Sequence, residues 1–146
     1  MVNRNHGQYH IFIYRITMNQ FLNIFFFVFH TILTLFNCLG WIFPATRKWN
    51  LLTLALTTGS WFILGIWFGW GYCACTDWHW RVREQLGYHD QSDSYIHFLL
   101  LKITGAYFNE KMVENGTLIA FLVSVVMSVW MNIHDWRGKK SVNHRQ

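Results

Sequence analysis

Charge is missing from this sequence over two long stretches: residues 16–46 and residues 49–76 contain no Asp, Glu, Lys or Arg. Each exceeds the roughly 20 residues that a helix needs to cross a hydrocarbon core, which excludes an ordinary soluble domain and makes lipid the expected solvent. Proline is nearly absent as well. The single one, Pro44, follows the first apolar run and leads into Arg47-Lys48, where it suits a tight interhelical turn. No Gly-rich phosphate loop, Ser/His/Asp set or paired carboxylates occur, so the expectation is against an enzyme and no cofactor is indicated. Repeats, low-complexity tracts and linkers are also lacking. A cleaved signal peptide is not expected, because the first apolar run starts only after Arg15 and ends without a persuasive small-x-small site.

What the chain does contain is 53% hydrophobic and only 13% charged residues, a membrane composition. The expected fold is all-α: a single integral membrane domain over residues 1–146, built as a transmembrane four-helix bundle. Helices are expected at about 19–41, 51–72, 94–108 and 117–132, with a short interfacial helix at about 77–86 between the second and third. The third is the ambiguous one, being short and carrying Lys102 in its middle. If it crosses, one side of the membrane holds Arg4, Arg15, Arg81, Arg83, Arg137, Lys139, Lys140 and Arg145, against Arg47, Lys48 and Lys111 opposite. That asymmetry predicts four crossings with both termini cytoplasmic in a cell inner membrane. The +5 formal charge is then a topology signal directed at anionic headgroups, not at nucleic acid. Residues 1–17 form a polar and aromatic prelude with Arg4, His6, His10 and Arg15.

Small and polar residues recur at helical spacing. Asn23, His30, Thr34 and Asn37 share one face, Gly65 and Gly69 form a Gly-x-x-x-Gly pair, and Ser124 and Ser128 sit one turn apart. Such stripes let helices approach and hydrogen-bond in lipid, so they predict the packing seam, a reading that outweighs a transport path. Trp41, Trp49, Trp78, Trp80, Trp130 and Trp136 cluster at the ends of the runs, as an interfacial belt does.

The segment most able to carry chemistry is Cys73-Ala74-Cys75-Thr76-Asp77-Trp78-His79-Trp80. In extended backbone Cys73, Cys75, Asp77 and His79 alternate onto one face and, with His97, would offer thiol, carboxylate and imidazole ligands to a metal. The spacing is not an established zinc pattern. The competing reading has Thr76 or Asp77 capping a short interfacial helix that stops at Gly87, with His79 directed away from Cys75 and the cysteines as reduced cytoplasmic thiols. Cys38, within the first run, reads as a small apolar filler. His30 is expected neutral, hydrogen-bonded across the seam to Asn or Thr. Asn115-Gly116-Thr117 fits a glycosylation sequon that matters only on a eukaryotic secretory route.

Gly71-Tyr72-Cys73-Ala74-Cys75-Thr76, the Trp-rich helix to Gly87, and Ser94-Tyr95-Ile96 resemble the central motif of bacterial membrane proteins catalogued as domain of unknown function 2784. The resemblance covers most of residues 21–102. It implies a small helical membrane protein with a His in the first apolar helix, here His30, and a Cys-Pro-Leu-Thr motif after the second. Cys73 and Thr76 match that motif, whereas Ala74 and Cys75 replace its Pro and Leu. The resemblance implies a bacterial inner-membrane protein and no activity. Two functional readings follow: a non-catalytic accessory or scaffold protein whose partners are the lipid bilayer and other membrane helices or a second copy, or a metal-binding or redox protein using the Cys73, Cys75, Asp77, His79 segment.

Overall fold

The computed structural model describes residues 3–89, 92 and 94–143, with side chains for 8–89, 92 and 94–138. Arg145 of the expected basic tail lies outside the described residues, as do the side chains of Arg4, His6, Lys139 and Lys140. The chain forms α1 (Asn3–Leu39), α2 (Arg47–Gly59), a π-helical turn (Ser60–Leu64), α3 (Gly65–Phe68), α4 (Ala74–Gln85), α5 (Tyr95–Thr104) and α6 (Glu110–Asn143). Three stretches are long and apolar enough to cross a membrane: Gln8–Leu39, Arg47–Phe68 and Glu110–Gly138. The expected third span shrinks to α5. Its ten residues cover about 15 Å, half of a hydrocarbon core, and it stops where Gly105 takes the left-handed conformation at φ 66°. Helix α1 instead runs on through the polar prelude, so the long apolar helix has no break before residue 40.

The α1–α2 turn is built from the carbonyls that a helix end leaves open. Thr46 Oγ1 donates to Gly40 O at 2.7 Å, Arg47 Nε to Trp41 O at 3.1 Å and Trp41 Nε1 to Cys38 O at 2.8 Å. Asn50, fully buried, donates through Nδ2 to Phe36 O at 2.7 Å. Only glycine fits at position 40, since a Cβ there would lie 2.6 Å from Phe36 O and 2.9 Å from Asn50 Nδ2.

Polar side chains hold the spans together. Asn37 Nδ2 donates to Thr57 Oγ1 at 3.0 Å, joining α1 to α2. Arg47 grips both carboxylate oxygens of Asp135 at 2.8 and 2.9 Å, and Asn132 Nδ2 donates to Arg47 O, tying the turn to the last third of α6. Ser124 and Ser128 are buried on α6, where their small size lets the helices approach. The expected seam therefore contains His30, Asn37, Ser124 and Ser128 as buried residues, with Asn23 and Thr34 half-buried. The glycine pair behaves differently. Gly65 is buried against the backbone of Trp70 and Gly71, so it seats a local reversal of the chain, and Gly69 is an exposed α3 cap at φ 103° with no neighbour for a Cβ.

Candidate functional site

Helix α4 lies antiparallel to the middle of α1, a register fixed by three contacts. Asn19 meets Gln85 at 3.0 Å, Asn23 meets His79 at 2.8 Å, and His30 meets Cys73 at 4.0 Å. The chain reaches this position by doubling back after α3, where Ser60 Oγ donates to Tyr72 O at 3.0 Å. Helix α5 closes the other side through Tyr95 and Phe98. Tyr95 OH donates to Phe27 O at 2.8 Å with Thr31 Oγ1 equally near, and Phe98 packs edge-on to Phe27 and Trp80.

Two histidines lie inside. His30 is sandwiched flat on the Tyr95 ring, centroids 3.9 Å apart and planes 1° from parallel. Its Nε2 faces Cys73 Sγ, and its Nδ1 lies 3.5 Å from Thr76 Oγ1. His79 is fully buried among Phe26, Trp80, Tyr95 and Phe98. Its Nε2 is spent on Asn23 Oδ1 while Nδ1 has no hydrogen-bond partner. Nearby Arg83 is buried with its guanidinium over the rings of Tyr88 and Phe98, 4.7 and 4.6 Å from their centroids.

Burial, reinforced by the Arg83 charge, lowers the His79 pKa to about 4. A histidine near 6.5 in the unfolded chain and near 4 in the folded one takes up its proton in the unfolded state first, so its contribution is complete above about pH 6.5 and erodes as pH falls toward 4. The melting temperature in detergent should therefore drop across that window, and His79→Gln should flatten the drop; an equally steep profile in the variant would contradict this burial.

Cys73 is the N-cap residue of α4, with extended backbone at φ −123° and ψ 115°. The hydrogen bond from the Cys75 thiol holds the Cys73 thiol far below its ordinary range despite burial, helped by His30 and the Thr76 amide; the same bond, with burial, pushes Cys75 up. A thiol at a helix N-terminus beside an imidazole is the setting that favours thiolate.

The five residues proposed from sequence as metal ligands are thus divided. Cys73 and Cys75 stay together, but Asp77 turns to Arg81 Nε at 2.9 Å and Tyr72 OH at 3.3 Å, and His79 turns inward to Asn23. His97 sits apart on α5, hydrogen-bonded to Ser92 and to Phe108 O at 2.9 Å, with Glu110 at 3.9 Å. Among the described residues no group of three or more His, Cys, Asp or Glu is placed to hold a metal ion. The capping expectation also shifts: Cys73, not Thr76 or Asp77, is the N-cap, and His79 is fully buried. Sequence reading missed Tyr95 and Phe98 as the elements that cover His30 and His79. Their Tyr-x-x-Phe spacing places both on one face of α5, a signal present in the sequence.

A family model described as Protein of Unknown function (DUF2784) matches residues 20–133, from α1 to the last third of α6. No curated protein matches, and no solved structure does.

Proposed function

The chain belongs to this family of proteins of unknown function, and on that premise we propose that it is a non-catalytic accessory or scaffold protein of the bacterial inner membrane with three crossings. The observation that carries the reading is where the polar groups go. Asn37, Arg47, Asn50, Asn132 and Asp135 are spent on binding one helix to another, while Phe25, Ile32, Leu56, Ile63 and Val126 are left exposed. In a bilayer that outer surface meets acyl chains, other membrane helices or a second copy.

Three crossings put the termini on opposite sides, which replaces the expectation of four crossings with both termini cytoplasmic. The α1–α2 turn and the C-terminal end carry Arg47, Lys48, Arg137, Lys139, Lys140 and Arg145 with Asp135 as their one acid. On the other side, Arg4, Arg15, Arg81, Arg83, Lys102 and Lys111 are matched by Asp77, Glu84, Asp90, Asp93, Glu110 and Glu114. The unbalanced basic side is assigned to the cytoplasm, and Cys73 and Cys75 then belong to the outer half.

The test is native electrophoresis with metal analysis and an absorption spectrum of protein extracted in mild detergent. The scaffold reading expects an assembly larger than one chain, without stoichiometric metal or chromophore. A monomer carrying either would overturn it.

A further inference from the structure

Cys73 and Cys75 are free thiols at the start of α4. Neither is bridged, both are half-buried, and they meet at the one place where α4 begins against α1. Ala74 is helical, so the two Cα atoms are about 5.4 Å apart by helix geometry, inside the roughly 4.4–6.8 Å window for a disulfide. The extended backbone of Cys73 frees its side chain from the helical direction. On the opposite side His30 cannot swing away, because Tyr95 lies flat against its ring and Thr76 Oγ1 faces Nδ1. Its Nε2 is consequently held 4.0 Å from Cys73 Sγ.

We propose that Cys73, Cys75 and His30 form a thiol–disulfide exchange site, with Cys73 as the attacking thiol, Cys75 as the resolving thiol and His30 as the proton carrier. The co-reactant is a disulfide, RS–SR. The Cys73 thiolate attacks one of its sulfurs, the S–S bond breaks, and the departing RS⁻ takes up the proton that His30 received from the Cys73 thiol. Cys75 then gives its proton to His30 and attacks Cys73 Sγ in the mixed disulfide, expelling the second RS⁻, which is protonated in turn. Two thiols and one RS–SR become one Cys73–Cys75 disulfide and two RSH, with two electrons passing from the protein to the co-reactant. The helix N-terminus and the imidazole serve the first step, and the adjacency of Cys75 serves the second. Nothing in this chemistry depends on the scaffold reading or on which side of the membrane the site faces.

The experiment uses the full chain purified in detergent, reduced, then exposed to glutathione disulfide and mapped by mass spectrometry after alkylation. Wild type is expected to yield a Cys73–Cys75 disulfide and leave Cys38 as a thiol. Cys75→Ser should stop at a glutathione adduct on Cys73, and Cys73→Ser should give no adduct on Cys75 at the same exposure. His30→Gln, checked for folding by its circular dichroism, should slow capture of Cys73 at least about tenfold. A wild-type protein that keeps both thiols while Cys75→Ser forms no adduct overturns the proposal, as does a folded His30→Gln variant that reacts at the wild-type rate.

Discussion

Phe98→Ala should destabilise the folded protein by about 3–5 kcal/mol, the range for deleting a buried aromatic ring. Phe98 is 2% exposed and is the point on which the α1, α4 and α5 side chains converge. Its ring meets Phe27 of α1, His79 and Trp80 of α4, and Tyr95 of its own helix at 5.0–6.4 Å between centroids. Arg83 lies 4.6 Å and Lys102 5.6 Å from the same centroid. It also walls an open pocket of about 230 Å³ with Asn23, Ile24 and Phe27. Truncation would enlarge that pocket and remove contacts with four packed rings, and the Arg83 guanidinium would lose one of its two rings. Ile103→Ala is the control: that side chain is 71% exposed, and its loss should change stability by less than about 1 kcal/mol. Thermal or denaturant unfolding in detergent reads both, and comparable losses in the two variants would mean that α5 is not docked as described.

The membrane character was plain from sequence because it depends on composition alone: two uncharged runs leave no other solvent. The inward face of α1 was legible too, since Asn23, His30 and Asn37 recur at helical spacing and polar residues in lipid must find partners. The number of crossings was not. Residues 94–108 carry the same apolar letters whether they cross or only dock, and their helix ends at Gly105. A glycine after an apolar stretch holding Lys102 was a C-cap signal, yet composition does not say whether the chain then continues across. The candidate site failed to be read for a different reason. His79 and Arg83 look like residues of a surface helix, and the packing of α4 between α1 and the Tyr95 and Phe98 rings of α5 buries them. Cys73 as N-cap was obscured because Asp77, an excellent capping residue by type, is taken up by Arg81 one turn later.

The second large effect is all-or-none and concerns how many times the chain crosses. Arg47, at the start of α2, reaches both carboxylate oxygens of Asp135 on α6 through Nη1, so the α1–α2 turn and the C-terminal end of α6 share one end of the bundle. Between those points lie Arg47–Phe68 and Glu110–Gly138, both long and apolar enough to cross, and α5, whose length of about 15 Å is half of a hydrocarbon core. The direct measurement is a pair of side-reporting fusions in living cells, one after Ala45 in the turn and one after Gln146, each scored with a reporter active only in the cytoplasm and one active only outside it. Three crossings predict that both positions report the cytoplasm, whereas a turn that reports outside while the C-terminus reports the cytoplasm would mean that α5 crosses after all.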